Sequence, residues 1–427
     1  MNGNDIETMR RLPRTCRAAD RVLWFDEVDS TNTVARRLLA GAWPPVDAAG
    51  PDVAGAEVAA ACAGAAGVFG DGIADADDAP PIAVVVADSQ TAGHGRLGRQ
   101  WVSLPGESSM VSFATVLPQS LVTDPRVNGW LQMIAGLAAV EAIDDVCAQV
   151  GATCTHASPD MPGASPDAPD CSQDGSADVA GTHSAAGGQG VCSLRLKWPN
   201  DVFLHDHKLG GILLELVLPH GGAASAVSDA AAGTGTRPCP SVPDDRRMVG
   251  LVIGIGLNLA IPADRLPTEL STSLQLHRAP LPDPMRLRDL IAGRMTAALR
   301  DRLRAFMVDP TGYAAALRDE MEPLCWTLGR PVEARLVDGG AVRGTALRLN
   351  PDASLAIRDV AGDDHTVTTG ASACSEPKRS YRRLMPAAAN AATAALTRSP
   401  MMKPAEARAT AVNGTPVITD CIVMPNA

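Results

Sequence analysis

The residues with the clearest chemical potential lie in the segment LRLKWPNDVFLHDHKLGGILLELVL, which begins at Leu194 and ends at Leu218. Lys197, Asp201 and Lys208 are embedded there among apolar residues that predict buried strands. Charged side chains are seldom buried without a partner or a purpose. From the pattern alone, two interpretations stay open. The segment is either a surface β-meander with an outward charged face, or a place where two ammonium groups and a carboxylate converge on an anionic substrate.

Two breaks interrupt the predicted strands of this segment. The tripeptide Pro-Asn-Asp at 199–201 removes a ladder donor and favours a turn, and residues 205–207 form a second break before Lys208. Beyond it, a glycine pair at 210–211 opens an apolar strand, where the missing side chains would let a ligand approach the backbone. The charged residues are therefore expected at strand ends that a substrate can reach.

A second candidate is the polar triplet Ser30-Thr31-Asn32. A predicted strand at 22–25 precedes it, and apolar residues with helical spacing follow at 34–39. Residues of these types cap helices by accepting backbone N–H bonds, and at a helix N-terminus they can also bind a polar ligand. The two roles are compatible, and both stay open.

The third candidate is a glycine-rich loop at residues 88–101, DSQTAGHGRLGRQW. The G-x-G-x-x-G spacing at 93–98 matches a dinucleotide-binding pattern, but that pattern requires a helix directly after the glycines. Residues 110–117 instead alternate like another strand. We interpret the loop as one that closes over a phosphate ester through Arg96 and Arg99, because arginine makes bidentate phosphate contacts.

The elements that must position these residues are strands and helices in alternation. Apolar runs predict further strands and amphipathic spacing predicts helices, the strands at 81–87, 110–117 and 248–259 and the helices at 131–150, 285–307 and 312–322. Beyond Pro323, period-two alternation around Asp338-Gly339-Gly340 predicts a hairpin within a small β-barrel. The predicted fold class is α+β, a mixed β-sheet backed by helices and followed by a small all-β domain.

Other stretches are too rich in Ala, Gly, Asp, Pro and Ser to join a core. They are insertions near 44–80, 151–190 and 220–246 and the terminal segments 1–20 and 375–427. Because few large apolar side chains could be buried there, we predict that these stretches are disordered, except the insertion near 44–80, which we predict to be a low-complexity loop that can include one short helix.

The amino-acid composition argues against several classes of protein. The formal net charge of −11, with Asp+Glu 48 against Lys+Arg 37, argues against a dedicated nucleic-acid binder. The 10 cysteines include no C-x-x-C pair, so free thiols are expected rather than a zinc site or a disulfide framework. The N-terminal arginines are not followed by the apolar segment of a secretory signal peptide. No run approaches the ~18 consecutive apolar residues that a membrane span needs. A soluble, cytoplasmic protein without a membrane partner is expected.

Together, these motifs resemble the signature of biotin protein ligases. The blocks KWPND at 197–201 and KLGGIL at 208–213 carry the resemblance, with the Ser-Thr-Asn triplet, the loop at 90–101 and the Gly-x-Asn at 256–258 in the family's order. The resemblance implies a catalytic domain of the class II aminoacyl-tRNA-synthetase/biotin-ligase type at 21–322 and an SH3-like barrel at 323–372. It also implies the monofunctional form, which has no DNA-binding domain.

The resemblance further implies a two-step reaction. The carboxylate of biotin attacks the α-phosphorus of ATP, which gives biotinyl-5′-AMP and pyrophosphate. A lysine of a biotin carboxyl carrier domain then attacks the adenylate and releases AMP. Biotin and ATP are the implied substrates, with Mg²⁺ beside the phosphates, and the carrier domain of a biotin-dependent carboxylase is the implied partner. No motif predicts a resident metal site.

Residue roles follow from the matching positions. The implied catalytic residues are Arg96, Lys208 and Asp201. The implied biotin-binding residues are Ser30, Thr31, Asn32, Gln90, Gly93, His94, Gly95, Arg96, Lys208 and Gly211. The implied ATP- and adenylate-binding residues are Arg96, Arg99, Trp101, Lys197, Asn200 and Asn258. His94 stands where the family usually has arginine.

Three other functions share parts of this pattern. A bifunctional ligase and repressor would need an N-terminal helix-turn-helix, and only about twenty polar residues precede the first predicted strand, so DNA binding is not expected. A lipoate- or octanoate-transferring relative would share the fold, but the Ser-Thr-Asn triplet and the 197–201 block favour biotin. A non-catalytic biotin-binding module would not need Arg96, Asp201 and Lys208. Homodimerisation, which is frequent in the family, and the identity of the carboxylase stay open.

Overall fold

The computed structural model describes residues 3–41, 79–96, 99–101, 105–155, 193–218, 247–336, 340–369, 372–373 and 417–423. Most of the three predicted insertions and of the C-terminal tail lies outside these residues, so their disorder stays a prediction. Within the described part, no helix is both long and apolar enough to cross a lipid bilayer.

The strands and helices predicted from the sequence are present, and the largest difference in bounds is that β7 begins at His207 rather than at residue 211. The described helices are α1 (Gly3–Arg11), α2 (Pro13–Ala18), α3 (Thr31–Gly41), α4 (Gln119–Thr123), α5 (Trp130–Gln149), α6 (Pro284–Val308) and α7 (Pro310–Leu324). The described strands are β1 (Arg21–Val28), β2 (Ala83–Gln90), β3 (Ser108–Pro118), β4 (Thr153–Cys154), β5 (Leu194–Lys197), β6 (Asp201–Leu204), β7 (His207–Val217), β8 (Met248–Asn258), β9 (Arg278–Ala279), β10 (Pro331–Leu336), β11 (Ala341–Leu349), β12 (Leu355–Arg358), β13 (Asp364–Thr369), β14 (Ser372–Ala373) and β15 (Val417–Val423).

The main sheet is mixed, with the strand order β1-β2-β3-β8-β7-β6-β5 and with β14 beside β7. β1 and β2 are parallel, whereas the remaining neighbours from β2 to β5 in this order are antiparallel. α3 packs on one face of the sheet, and α5 and α6 back the other face. The predicted mixed sheet backed by helices is confirmed.

Alternate residues of the central strands face these two layers, as the period of two in a strand requires. Val85 and Val252 pack with Leu38 of α3, whereas Val84 and Ile253 belong to the core under α5 and α6. Both faces are thereby covered, which explains why these strands read as continuous apolar runs in the sequence.

α6 and α7 begin at the same local signal, an Asp-Pro pair. Asp283 accepts a hydrogen bond from the backbone N–H of Arg286 (3.0 Å), and Asp309 accepts one from that of Gly312 (2.9 Å). A proline follows each cap at the start of its helix, where a missing N–H costs nothing. Both helices were predicted from amphipathic spacing, and the caps show where each of them begins.

The C-terminal unit is a closed barrel with the strand order β10-β11-β12-β13-β15. The predicted hairpin is β10 and β11, and residues 337–339 at its tip lie outside the described residues. β15 pairs antiparallel with β10 and parallel with β13, although it lies in the predicted disordered tail. That prediction is wrong for Val417–Val423, where the run VITDCIV has the β-branched residues typical of a strand.

The barrel contacts the segment that carries the candidate site. Trp198, which is 1% exposed, donates from its backbone N–H to Thr327 Oγ1 (2.9 Å) and from its indole N–H to the carbonyl of Ala353 (3.0 Å). At the start of α5, the indole of Trp130 donates to the carbonyl of Pro351 (2.7 Å). The turn at 198–200 is therefore held from behind by the barrel.

Free thiols were expected, and three of the four cysteines whose state the structure describes are free. Cys16, Cys147 and Cys325 are free thiols, and burial raises the pKa of each. Cys154 in β4 is disulfide-bonded, which differs from the expectation of free thiols. A raised thiol pKa lowers the thiolate fraction, so the three free cysteines are poor nucleophiles.

The N-terminal segment forms helices rather than the disordered arm predicted for residues 1–20. Leu12, between α1 and α2, is fully buried. Asp289 of α6 is 4% exposed and accepts hydrogen bonds from the backbone N–H groups of Arg14 (3.0 Å) and Thr15 (2.9 Å) and from Thr15 Oγ1 (2.9 Å). A buried carboxylate needs such partners. They lie far away along the chain, so composition did not show that this segment is ordered.

Asp289→Ala should therefore destabilise the protein. The substitution leaves two buried backbone N–H groups without an acceptor, and we expect a loss of about 2 kcal/mol in the free energy of unfolding. Urea unfolding measures this loss, and Asp301→Ala, at an exposed position of the same helix, is the matched control. Equal free energies of unfolding for the two variants would contradict the structural role of Asp289.

Candidate active site

A cavity of ≈ 150 Å³ opens where α3 begins and the central strands of the sheet meet the glycine-rich loop. Gly93, Lys197 and Asn258 lie outside its lining. The other predicted site residues line it: Ser30, Thr31, Asn32, Gln90, His94, Gly95, Arg96, Arg99, Trp101, Asn200, Asp201, Lys208 and Gly211.

Glycines form the floor of this cavity. Gly254 and Gly256 lie two residues apart on β8, so they share one face of the sheet. A Cβ atom at Gly254 would overlap the side-chain amide of Asn32, and one at Gly256 would lie 2.5 Å from the indole ring of Trp101. Missing side chains thus let Asn32 and Trp101 rest directly on the sheet backbone.

The strand register places the floor between a polar wall and a charged group. In one row across the sheet, Gly254 pairs with Ser112 on one side and Leu213 on the other. In the next row, Gly256 pairs with Gly211, which in turn pairs with Asp201. The cavity therefore has hydroxyl and amide groups at one end and a carboxylate at the other.

The polar wall is a connected network. Gln90 Oε1 accepts from the backbone N–H of Thr31 (2.8 Å), and the hydroxyl of Ser112 lies 2.8 Å from Thr31 Oγ1 and 2.6 Å from Asn32 Oδ1. The amide of Asn32 donates to Glu215 Oε2 (2.7 Å). These bonds fix the orientation of the Asn32 amide and Thr31 hydroxyl, so the wall is formed before any ligand arrives.

The triplet also starts the helix. The carbonyl of Ser30 accepts the N–H of Val34 (3.1 Å), the first bond of α3. Ser30, Thr31 and Asn32 are each at most 6% exposed. This is a main-chain bond, so side-chain capping by the triplet stays a prediction, whereas the position at the cavity makes the ligand-binding role available.

Charged groups meet at the opposite end of the cavity. Lys208 Nζ lies 2.7 Å from Asp201 Oδ1, and Lys197 Nζ lies 3.9 Å from Asp201 Oδ2. The side chain of Asp201 is 16% exposed and that of Lys208 is 35% exposed. The three charges are therefore partners at one site, not an outward face of a surface β-meander. Lys197 does not line the cavity, and its Nζ lies over the ring of Phe203 (5.7 Å).

The glycine-rich loop closes this end. Its backbone folds back on itself, since Trp101 N–H donates to the carbonyl of Gly93 (2.9 Å) and Gly95 N–H to that of Arg99 (2.6 Å). Arg96 Nη1 donates to Asn200 Oδ1 (3.5 Å), which joins the loop to the 198–200 turn. The next strand is β3, so the loop opens no dinucleotide-binding helix, and the rejection of that fold is confirmed.

A buried clamp holds Lys208 from behind. Lys208 N–H donates to the carbonyl of Leu270 (2.8 Å), and Thr272 N–H donates to the carbonyl of Lys208 (2.9 Å). Asn258 donates to the carbonyl of Thr272 (2.9 Å), and the Thr272 hydroxyl lies 2.6 Å from His277 Nε2. Asn258 is thus a support of Lys208, rather than a lining residue of the cavity as its predicted adenylate contact suggested.

His277 of this clamp is neutral at ordinary pH. Burial, first, and the nearby His205, His207 and Arg278 lower the pKa of His277 to about 4. Its ring lies 4.7 Å from that of His205, whose pKa burial also lowers. A neutral imidazole can share a hydrogen bond with Thr272 without adding a third buried positive charge to the region of Lys208 and Arg278.

Sequence reasoning missed three residues of this site, Ser112, Glu215 and His277. A signal existed for the first two, because each is a polar residue within an apolar strand, in MVSFATVL and LLELVL. Their alternation with apolar neighbours places them on the same face as the cavity. His277 gave no signal, because its partner Thr272 belongs to an irregular segment.

The stability of the protein should depend on His277 at acidic pH. The folded-state pKa near 4 lies below the ordinary value of 6.5, so between these values the unfolded chain binds more protons. Stability then falls as the pH decreases through this window, by at most about 1.4 kcal/mol per pH unit for one such group. His277→Gln, which can keep a hydrogen bond to Thr272, should remove that part of the pH dependence of urea unfolding. The exposed His207→Gln is the control, and an unchanged slope in His277→Gln would contradict the prediction.

Comparisons with known proteins agree with the motifs. Residues 76–228 match the biotin/lipoate A/B protein ligase family. That range contains the glycine-rich loop and the block with Lys197, Asp201 and Lys208. The Ser-Thr-Asn triplet and the glycines of β8 lie outside it.

Individual relatives cover more of the chain. The biotin–acetyl-CoA-carboxylase ligase of Mycobacterium tuberculosis (strain ATCC 25618 / H37Rv) is 25% identical over 289 residues, which are 67% of this chain and 77% of the relative. The bifunctional ligase/repressor BirA of Escherichia coli (strain K12) is 26% identical over 192 residues, 45% of each chain. A solved structure of biotin protein ligase from Aquifex aeolicus, in complex with biotin and ATP, aligns with 82% of this chain and 97% of its own at 18% identity and a TM-score of 0.45. Residues 76–228 of the chain are thus similar to the biotin/lipoate A/B protein ligase family.

Proposed function

We propose that this protein is a cytoplasmic, ATP-dependent ligase that forms biotinyl-5′-AMP and transfers biotin to a lysine of a biotin carboxyl carrier domain. The observation that supports this most is the arrangement of the cavity. A preformed wall of hydroxyl and amide groups faces a cluster of Lys208, Asp201 and Arg96 across a floor of glycines. A neutral polar ring at one end and a carboxylate with phosphates at the other would match that arrangement.

Biotin would lie along the glycine floor. Ser30, Thr31, Asn32 and Gln90 would bond its ureido ring, with the orientation of the Asn32 amide fixed by Glu215. The backbone at Gly211 would lie under the ring and side chain, and the loop residues Gly93, His94, Gly95 and Arg96 would close over them. The carboxylate would then point towards Lys208.

The first step brings two anions together. The biotin carboxylate oxygen attacks the α-phosphorus of ATP, a P–O bond forms, and the bond to the leaving pyrophosphate breaks. The ammonium of Lys208 and the guanidinium of Arg96 would offset the repulsion and stabilise the charge that builds on the phosphorus oxygens. Lys208 Nζ already lies at the cavity, 2.7 Å from Asp201, and its backbone is held on both sides by the 270–272 segment.

Mg²⁺ would enter as part of the ATP substrate. Among the described residues there is no cluster of three His, Cys, Asp or Glu side chains that could hold a metal ion. Asp201 is the carboxylate that lines the cavity, and it is paired with Lys208. The residues present therefore suit an ion that comes bound to phosphates better than a resident one.

The adenylate would be held by the charged end of the site. Arg96 and Arg99 would contact the phosphate, Trp101 would supply an apolar wall, and Lys197 and Asn200 would hold the turn. The amide nitrogen of Asn258 is bonded to the carbonyl of Thr272, so Asn258 could contact the adenylate only through Oδ1. That oxygen is buried and has no partner within the described chain.

In the second step a lysine amine of the carrier attacks the acyl carbon of the adenylate, a C–N bond forms, and AMP leaves. The amine must lose a proton, since free lysine is almost wholly protonated at neutral pH. Asp201 would receive or orient that proton. It lies 2.7 Å from the ammonium group of Lys208 and 3.9 Å from that of Lys197, which would hold the carboxylate in place.

The domain organisation belongs to the same proposal. The catalytic domain would span residues 21–322, and the closed barrel would be an SH3-like module. The barrel supports the site through Trp198. The carrier domain of a biotin-dependent carboxylase would be the partner.

The proposal is tested by mixing the protein with ATP, a carrier domain and either biotin, lipoate or octanoate, and by measuring the intact mass of the carrier. We expect the carrier to gain one acyl group only when biotin and ATP are both present. Transfer of lipoate or octanoate would indicate the relative with that activity. Binding of biotin without adenylate formation would indicate a non-catalytic module.

Lys208→Ala should slow adenylate formation about 100-fold or more, because one preorganised cation at the developing charge is lost. Release of pyrophosphate from labelled ATP, with biotin but without carrier, measures this step. Arg195→Ala removes an exposed cation from β5 of the same sheet and is the control. A wild-type rate in Lys208→Ala, with an unchanged melting temperature, would contradict the role of this ammonium.

Arg96→Gly should separate formation of the adenylate from its retention. Lys208 remains to offset charge, so some adenylate should form, but the loop loses its hydrogen bond to Asn200 and its contact with the phosphate. The reactive adenylate should then escape and biotinylate lysines of a bystander such as albumin. Labelling of albumin beside the carrier measures escape, with the wild-type enzyme as control. An unlabelled bystander and a wild-type rate on the carrier would show that Arg96 does not retain the intermediate.

A further inference from the structure

A second, larger groove lies on the helical side of the molecule, away from the candidate active site. It has a volume of ≈ 710 Å³ and lies between the α1–α2 turn, the end of α5 and the start of α6. Its apolar lining includes Val150, Leu281, Met285 and Leu290. Four arginines also line it: Arg10, Arg11, Arg14 and Arg286.

Three of these arginines have no carboxylate partner within the described chain. Arg10, Arg14 and Arg286 are exposed and make no ion pair there. Arg11 is different, because it pairs with Glu7 (2.7 Å) and lies over the ring of Trp24 (4.0 Å). The groove therefore presents three uncompensated guanidinium groups in a chain whose formal net charge is −11.

The two carboxylates that line the groove do not neutralise them, because both are used by the main chain. Asp283 accepts the N–H of Arg286 (3.0 Å) and caps α6. Asp289 is buried and accepts the N–H groups of Arg14 (3.0 Å) and Thr15 (2.9 Å). These bonds fix the backbone from which Arg14 and Arg286 project, but they leave the guanidinium groups free to bind something else.

Other arginines of α6 are paired with carboxylates, so an arginine without an ion pair in the described chain is unusual for this helix. Arg288 pairs with Asp88, Arg294 with Asp145 (2.5 Å) and Arg302 with Glu141 (2.9 Å). Arg286 lies on the same helix and has no such partner in the described chain. The difference coincides with the groove, which is the feature that Arg286 shares with Arg10 and Arg14.

We propose that this groove binds an organic anion that carries two or more phosphate or carboxylate groups on an apolar or planar body. Arginine is suited to bidentate contacts with both kinds of anion. The volume of ≈ 710 Å³ falls within the range of about 300–1,000 Å³ typical of small-molecule sites. The apolar lining would cover the body of the ligand while the guanidinium groups bind its charges.

Two probes separate the parts of this proposal. Tripolyphosphate supplies charge without a body, and GTP supplies the same charge with a planar body. Isothermal titration of the full-length protein should show that both bind and that GTP binds more tightly. Equal affinities for the two probes would overturn the role of the apolar lining, and no binding of either would overturn the site.

Variants assign the binding to the groove. Arg14→Gln combined with Arg286→Gln should lower the affinity for tripolyphosphate about tenfold or more, since charge-assisted hydrogen bonds are lost. Arg17→Gln, at an exposed position of α2 outside the groove, should leave the affinity unchanged and is the matched control. Arg14→Lys with Arg286→Lys should restore part of the affinity. If the double glutamine variant binds both probes as the wild type does, the anion lies elsewhere and the proposal is wrong. The double glutamine variant leaves the candidate active site unaltered, so a probe that binds there contributes equally to both titrations, and the difference between wild type and variant measures the groove alone.

Discussion

The close approach of two side chains to the sheet backbone is the constraint on which the site depends. Asn32 rests against Gly254, and the indole of Trp101 rests against Gly256, at distances that leave no room for a Cβ atom. This contact sets the first turn of α3 on the sheet and brings Thr31 within reach of Gln90. It also positions the end of the glycine-rich loop over the same strands. Any larger residue at either glycine would displace one wall of the cavity.

The charged end is held by different means. Asp201 and Lys208 belong to neighbouring strands, so the register of the sheet brings them together. The turn that precedes Asp201 is fixed through Trp198, which is bonded to the barrel, and Lys208 is fixed by the clamp of Asn258, Thr272 and His277. Two units of the chain thus support one pair of opposite charges. This arrangement agrees with the principle that reactive groups need rigid supports around them.

The sequence was sufficient to predict an element or a site residue where the residues that determine it are close together in the chain. Amphipathic spacing predicted α6 and α7, the apolar runs predicted the central strands, and KWPND with KLGGIL predicted the charged end of the site. It was insufficient where an element depends on a residue or strand that is distant along the chain. α1 and α2 lie in the N-terminal segment that was predicted to be disordered, and their acceptor Asp289 is distant in sequence. β15 is separated from β13, the preceding strand of the barrel, by residues 370–416. Asn258 was assigned to the ligand because its motif is local, whereas its bond to Thr272 depends on the tertiary fold.

We propose that one cavity holds the polar ring of biotin at the Thr31–Asn32 wall and its carboxylate at Lys208. A crystal structure of the protein with biotin bound measures this most directly. We predict ureido oxygen and nitrogens within hydrogen-bond distance of the side chains of residues 30–32 and Gln90, and the carboxylate beside Lys208 Nζ. Biotin bound in the reverse orientation, or outside the glycine floor, would contradict the claim.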